Sequence, residues 1–587
     1  MSNFFKIIVE ITPKKPYKKV FFIGVDMKSS NLWVYPASFG SDPLFPKKSD
    51  FEIHKTSKSK GLGVITKRAF AKGELVAKMA GPTVDTIQQH TLQIAKDVHL
   101  HDTYFSGYFL HSCDPNIHVD MQKLEVTALK PIKKNAYLYM DYSDTEDYLF
   151  KIFKCGCGAK TCRGIIRGKK DKNLAPAFLA DQQSMLYKEK QWWEREDLTY
   201  KRDQLFFANR LVKDLAKQAD MPTFFYSINR IEKNLTRLKD AFAKQGMSRR
   251  TNVFYAMKAN RFIPILSWMA SQRVCGIDAC SPEEIEYAIS CGFREEDISF
   301  TATSLSAKDF AILSKYPRIH INCDSIYTLK QCIKFGLTFS LGVRINPELG
   351  TSRTDNSRLK YAGEKQTKFG VYTTQLKEFI TTAKKAGVEI NTVHFHTGCG
   401  YLNDSLNNLA EVFKKANEFI QTIGTVKKVN IGGGLGVPHQ KIDGSLDLFE
   451  WSKLIKNSFA KDLIIQVEPG EYIVKDSGIL IVEKTFTERK KKKNYIGINA
   501  GFNIAIEPAF YGLPFEPVIL ERYHGKFMTY DVVGNINEAL DVWYEDLVIE
   551  DLQMHKHLAI INAGGYSSSM ASNHCMRGNF REVLLVN

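Results

Sequence analysis

Long apolar runs are missing from this sequence. None approaches the roughly 18 to 20 residues needed to cross a bilayer, and the opening MSNFFKIIVE lacks the basic, apolar and small-residue sections of a secretory signal. A cytoplasmic protein is expected, with no membrane partner. Cysteine is also sparse, eleven in 587 residues, which argues against a disulfide scaffold. Acidic residues are outnumbered, 64 against 81 lysines and arginines, for a net charge of +17. That excess is spread out: residues 1–200 hold 31 basic and 22 acidic side chains, so +9 falls there and +8 in the rest. Without one dense basic stripe, nucleic acid is not an expected partner. The sharpest basic run, Arg489 to Lys493, lies between two strand-like segments and reads as a solvated hairpin loop.

What is present divides the chain, which is too long for a single core. Residues 1–168 carry short β-like runs (FFKIIVEI, KVFFIGVD, LEVTALK) and few amphipathic helices. Residues 169–204 are polar and read as a linker, and 205–221 lead into the next unit. From 222 to 477, apolar strands (NVFYAMKA, GIDA, ISFTA, HINCD, FSLGVRI, TVHFH, KVNIGGG, LIIQVEPG) alternate with helical segments such as SPEEIEYAISCG. Eight strand–helix units predict a (β/α)8 barrel. Residues 478–587 turn β-rich and predict a closing β domain. The fold class is therefore multidomain: a β-rich domain, an α/β barrel, then a C-terminal β domain.

In such barrels the reactive groups sit at the C-terminal ends of strands. Lys258 ends NVFYAMKA, where a lysine can form a Schiff base with an aldehyde cofactor. His396 follows TVHFH and could lie against a flat ring, although a histidine there is more often a core residue. Gly432, Gly433 and Gly434 follow VNI directly, offering bare amides to a phosphate. Glu468 ends LIIQVEPG, where a carboxylate can keep a pyridine nitrogen protonated.

Read in order, YAMKAN, GIDACSPEEI, RINP, TKFGV, HFHTGCG, GGGLG, EPGEY and GYSSSMASNHCMRGNFREVLL resemble the fold type III pyridoxal-phosphate (PLP) decarboxylases, the diaminopimelate/ornithine decarboxylase family, across roughly 380 residues. The resemblance implies an alanine-racemase-like barrel with a β domain, and a homodimer whose active sites are shared. It makes Lys258 the Schiff-base lysine, His396 the ring-stacking histidine and Glu468 the partner of the pyridine nitrogen. Gly433, Gly434 and Tyr566 serve the phosphate, with Asp278, Arg344, Cys399, Gly432 and Gly470 among the other cofactor contacts. Tyr511 and Tyr566 would touch substrate. Glu538 and Asp541, in VVGNINEALD, match the segment supplied by the partner subunit.

Departures from the family pattern bear on substrate. Its EPGR reads EPGEY here, putting Glu471 in place of an arginine, and a second arginine, before Pro-Ala-x-Tyr, is Glu507 in IEPAFY. Two such exchanges predict repulsion of a dianionic substrate tail and attraction of a cationic one: lysine, ornithine, arginine or an N-methyl-lysine. The family cysteine that handles the proton after decarboxylation is Asn537, and the phosphate-contacting serine is Cys399.

Near the N-terminus, Cys155, Cys157 and Cys162 lie within eight residues, with Cys113 upstream in HSCDPN. Four thiolates suit a tetrahedral zinc site. The other cysteines, Cys275, Cys280, Cys291, Cys323 and Cys332, are expected as core filler. With KSKGLGVITKRAFAKGE and YLYMDYSD, residues 52–167 resemble a SET-domain lysine methyltransferase with a post-SET zinc clip. The resemblance implies Gly61, Gly63 and His111 as contacts of S-adenosylmethionine and Tyr142 as the residue that orients the target amine. The asparagine that opens the family's NHSC motif is Leu110 here. The leading expectation is a decarboxylase coupled to an N-methyltransferase. The alternatives are a diaminopimelate decarboxylase with a non-catalytic SET-like module, and an amino-acid racemase.

Overall fold

The structure is a computed structural model. It describes residues 33–36, 39, 42–56, 62–84, 87, 90–96, 98–149, 153–170, 190–353, 357–363, 366–441, 443–491 and 493–586. The β-like runs FFKIIVEI and KVFFIGVD, Gly61 and most of the expected linker lie outside these residues. Two compact units divide the chain, residues 1–182 and 183–587. No helix among the described residues is long and apolar enough to cross a membrane.

The first unit is β-rich, as its sequence predicts. Strand Phe51–Lys55 pairs antiparallel with Leu62–Thr66. Leu75–Lys78, Glu125–Ala128 and Ile117–Asp120 make a three-stranded sheet, as do Thr83–Val84, Val98–His101 and Thr91–Ala95. Leu110–His111 runs parallel to Tyr139–Met140. Its core, which includes Val64, Phe105, Val126 and Leu138, is its own cluster, with Phe51 stacked on Phe70.

In the second unit all eight strands read from the sequence close into one parallel barrel: Thr251–Ala256, Gly276–Ala279, Ile298–Phe300, His320–Cys323, Leu341–Arg344, Ile390–His394, Lys428–Asn430 and Ile464–Val467. The last pairs with the first, Ile465 opposite Thr251. The helices turn one face to the strands. Along Leu406–Ile423 the buried residues are Leu409, Val412, Phe413, Ala416, Phe419 and Ile423, at helical spacing, and Gly424 (φ +76) ends the helix. Helix Ile228–Lys244 starts on Ser227, whose side chain accepts from the N–H of Arg230.

Two boundaries move. Thr223–Ser227, expected within the barrel, pairs antiparallel with Gly478–Lys490 and parallel with Arg581–Leu585, so it belongs to the C-terminal sheet. Its five residues are all buried, so its backbone groups must be paired within the protein; the barrel is already closed by eight other strands, and the C-terminal sheet supplies the partners. The end of the expected linker is also ordered: Leu198–Lys201, Gln204–Phe207 and Arg210–Leu211 form a small sheet whose Leu205 and Phe207 pack on Ile479 and Ile561. The basic run is a hairpin turn, with Lys490 opposite Lys493 and Lys491 at φ +53.

Candidate active site

A cavity of about 250 Å³ opens at the C-terminal ends of the barrel strands, lined by Lys258, Asp278, Arg344, His396, Cys399, Gly433, Gly434, Glu468, Gly470, Glu471 and Tyr566. These predicted residues come from widely separated segments and meet because each closes or follows a strand. Lys258 sits in the single turn Met257–Ala259 after the first strand. That turn is fixed by the Tyr255 hydroxyl, which donates to Asn260 O at 2.9 Å. The Lys258 Nζ lies 3.6 Å from Cys280 Sγ.

Glu468, after the eighth strand, is 5% exposed and accepts from Asn430 Nδ2 at 2.6 Å and Ser299 Oγ at 3.2 Å. His394 Nε2 lies 3.0 Å away. Burial alone would favour the neutral acid, yet His394 and Asn430 hold this carboxyl well below the usual range. Asn430 also accepts from the N–H of Gly432 at 3.0 Å, tying the carboxylate to the glycine turn. In that turn a Cβ on Gly433 would lie 2.2 Å from Glu468 O, and one on Gly434 (φ +99) 2.2 Å from Gly398 O. Only glycine fits, and the backbone is left bare.

Burial, and then Lys258 and Arg344, push His396 well below the ordinary histidine range, so its imidazole is neutral. Its ring lies 4.7 Å from that of Tyr361 and its Nε2 3.6 Å from Cys399 Sγ. Asp278 is buried with Oδ1 unpartnered, and burial followed by Glu468 raises its pKa well above the carboxylate range. Arg344 pairs with Asp324 at 3.3 Å and lies over the Phe369 ring. An amine, an ionised carboxylate, a bare-amide turn beside a tyrosine and a neutral aromatic face in one enclosed space fit pyridoxal phosphate. Cys280, Tyr361 and Phe369 also line the cavity. Cys280, expected as core filler, is brought there by its i, i+2 relation to Asp278, which a strand sends to one face.

Charge reversal looks different in three dimensions. Glu471 lines the cavity, but its Oε1 already takes Arg353 Nη2 at 3.2 Å, the Val437 N–H at 3.2 Å and His439 Nε2 at 3.4 Å. Glu507 does not line it, and is ion-paired with the fully buried Lys475. Tyr511, Asn537, Glu538 and Asp541 are likewise not among the lining residues of this chain. Asn537 and Glu538 are exposed, with Glu538 3.6 Å from His574. Asp541 faces inward and holds its own loop, accepting from the N–H groups of Ile536 at 2.7 Å and Phe502 at 2.8 Å.

In the first unit, His111 and Tyr142 come together, ring centroids 5.2 Å apart, and the Tyr142 hydroxyl donates to Phe109 O at 2.7 Å. Burial pushes that phenol up to about 12. Leu110 lies over Gly63, where an added Cβ would be 2.8 Å from Leu110 Cδ1. Its side chain offers no donor or acceptor, so the contact that the family asparagine would make to the cofactor is missing here. The thiols of Cys113, Cys155, Cys157 and Cys162 all lie within 4.8 Å of one another, with Cys113 and Cys155 at 3.9 Å. Tetrahedral Zn–S bonds of about 2.3 Å put sulfurs about 3.8 Å apart, so this cluster fits zinc.

The second unit thus defines a pyridoxal-phosphate enzyme on a (β/α)8 barrel. Comparison agrees: residues 228–475 match the model of the pyridoxal-dependent decarboxylase, pyridoxal binding domain, and 61–143 that of the SET domain. Diaminopimelate decarboxylase of Methanothermobacter thermautotrophicus is 30% identical over 391 residues, 63% of this chain and 88% of that one. The structure of Helicobacter pylori diaminopimelate decarboxylase complexed with L-lysine is 28% identical, with a TM-score of 0.58 over 64% of this chain and 94% of that one. The arginine decarboxylase of Paramecium bursaria Chlorella virus shares the fold at 17% identity, TM-score 0.56, over 64% of this chain and 99% of that one. The chain belongs to the pyridoxal-dependent decarboxylase family, alongside the diaminopimelate decarboxylases. It is an amino-acid carboxy-lyase.

Proposed function

We propose that the barrel decarboxylates an α-amino acid whose side chain ends in a cation: lysine, ornithine, arginine or an N-methylated lysine. The observation that carries this reading is Glu471. Burial opposes its ionisation, but His439 and Arg353 together bring its pKa down to about 2, so it meets the cavity as an anion. All three of its hydrogen bonds fall on Oε1, which leaves Oε2 for a cationic group. Glu471 shares its cation, Arg353, with a second carboxylate, Asp443, so these three groups keep one negative charge, whereas Glu507 has Lys475 as its own counter-charge and adds nothing to this attraction.

Bound at Lys258, pyridoxal phosphate supplies the electron sink for the charge left when the carboxylate departs. The rest of the work falls to the chain. Gly433, Gly434 and Tyr566 would hold the phosphate, and neutral His396 one face of the ring. Glu468, kept ionised by His394 and Asn430, would hold a proton on the pyridine nitrogen. That strong sink favours decarboxylation over racemisation. The exposed Asn537–Glu538 loop would complete the site of a second copy in a homodimer, and with asparagine there the proton for the product carbon must come from another group.

The deciding assay is release of labelled carbon dioxide, with kcat/KM compared for lysine, ornithine, arginine and meso-diaminopimelate. A preference of about a hundredfold for a basic amino acid is expected. Preference for diaminopimelate would overturn the substrate assignment, and inversion of the α-carbon without carbon dioxide would overturn decarboxylation.

A second reading concerns the first unit, which we propose is a zinc-stapled, non-catalytic module; the apolar cover of Leu110 over Gly63 supports it. Titration calorimetry of the full chain with S-adenosylmethionine is expected to show no binding. Saturable binding with methyl transfer to an amine would instead restore the coupled methyltransferase.

A further inference from the structure

Lys475 is a lysine with no exposed surface at all, a placement that needs a reason, because a buried ammonium forfeits its hydration. Three groups surround it. The carboxylate of Glu507 pairs with it, the carbonyl of Gly565 accepts from Nζ at 2.9 Å, and the ring of Phe515 lies 4.3 Å from Nζ. Its own main-chain carbonyl accepts from the N–H of Gly564 at 2.9 Å. One residue therefore grips the Gly564–Gly565 segment twice, by backbone and by side chain.

The next residue is Tyr566. It sits at φ +54, a left-handed conformation that a tyrosine adopts only when its surroundings impose it. Its N–H donates to Ala259 O at 2.8 Å, and Asn260 Nδ2 donates to Gly564 O at 2.9 Å, so the other side of the loop is tied to the turn that carries Lys258. The phenol ends up beside Gly470, which lines the same cavity as Gly433 and Gly434: a Cβ on Gly470 would lie 2.7 Å from Tyr566 Oη. The loop also packs closely on the main chain at Lys475, since a Cβ on Gly564 would fall 1.9 Å from Val474 O and 2.9 Å from Lys475 O.

We propose that Lys475 and Glu507 are a positioning pair. The ammonium, held in place by the Glu507 carboxylate from the C-terminal β domain, fixes the Gly564–Tyr566 loop so that the Tyr566 hydroxyl stands at the phosphate end of the cavity. The pair touches neither cofactor nor substrate. It acts through Tyr566, and it couples the β domain to cofactor retention in the barrel. This inference rests on the reading that the cavity binds pyridoxal phosphate with its phosphate at Gly433, Gly434 and Tyr566.

The test uses the full chain and two probes, pyridoxal phosphate and pyridoxal, which differ only in the phosphate. Lys475→Met alone leaves Glu507 buried without a partner, and that variant can fail by unfolding. The working variant is K475M/E507M, which removes both charges and keeps the volume. Its dissociation constant for pyridoxal phosphate is expected to rise at least about tenfold, with that for pyridoxal changed less than about twofold. Tyr566→Phe added to this background should cost less than it does in the wild type, since both changes act on one contact. Equal losses for the two probes would mean a general loosening of the fold and would overturn the proposal, as would an unchanged affinity for pyridoxal phosphate. Failure of the wild type to bind pyridoxal phosphate at all would instead overturn the cofactor reading beneath it.

Discussion

Arg353 gives the severest test of how this site tolerates a glutamate. Its guanidinium is 3% exposed and pairs with Asp443 at 2.8 Å and Glu471 at 3.2 Å, both themselves buried. Arg353→Met keeps most of the hydrocarbon but leaves two carboxylates without their cation. Breaking a buried pair from one side costs about 3–5 kcal/mol, because the orphaned charge stays desolvated; an exposed pair would cost at most about 1 kcal/mol. Urea unfolding followed by tryptophan fluorescence reads the right unit, since five of the six tryptophans lie beyond residue 182. The double variant R353M/E471Q should recover at least about 1 kcal/mol, because a neutral amide needs no counter-charge. The pH dependence has a definite sign. Glu471 is held at about 2 against an ordinary 4.5, so its contribution is present above about pH 4.5 and is lost as pH falls toward 2. The gap between wild type and R353M should therefore be widest above about pH 4.5 and narrow in acid. A loss under about 1 kcal/mol, or a gap that does not depend on pH, would refute the reasoning.

Two further outcomes follow from other parts of the molecule. Purified without chelator, the chain should carry about one zinc per molecule by metal analysis, and Cys157→Ser should lose it while cofactor binding in the second unit is retained, since the cores are separate; metal-free wild type would count against the site. Glu516, which accepts from Trp192 Nε1 at 2.7 Å, is raised by burial to about 7 from 4.5. Its contribution is present below about pH 4.5 and is lost as pH rises through about 7, a change of about 3 kcal/mol that E516Q should abolish in urea midpoints measured across that range; identical pH slopes in the two proteins would exclude it.

Much of the barrel could be read in the sequence because its signals are local. Each strand is a short apolar run closed by glycine, proline or a polar residue, and all eight took their places. The residues at strand ends, from Lys258 to Glu468, were legible for the same reason, since topology fixes where a strand end points. What escaped was non-local. Thr223–Ser227 reads like any barrel strand, and only its pairing with Arg581–Leu585, more than 350 residues away, sends it to the β domain. Glu471 and Glu507 looked like free negative charges because their partners, Arg353 and Lys475, lie 118 and 32 residues away. Buried cations carry no periodicity that would announce them. Cys280 did leave a signal, its i, i+2 spacing from Asp278.

The central claim is that Lys258 holds pyridoxal phosphate in the barrel, and borohydride reduction of the loaded full-length protein tests it most directly. Peptide mass spectrometry should then find one stable cofactor adduct per chain, on the peptide containing Lys258, with K258A giving none and releasing no carbon dioxide from any amino acid, since among the described residues lining the cavity no other side chain is an amine. An adduct on another lysine, or carbon dioxide release that survives in K258A, would contradict it.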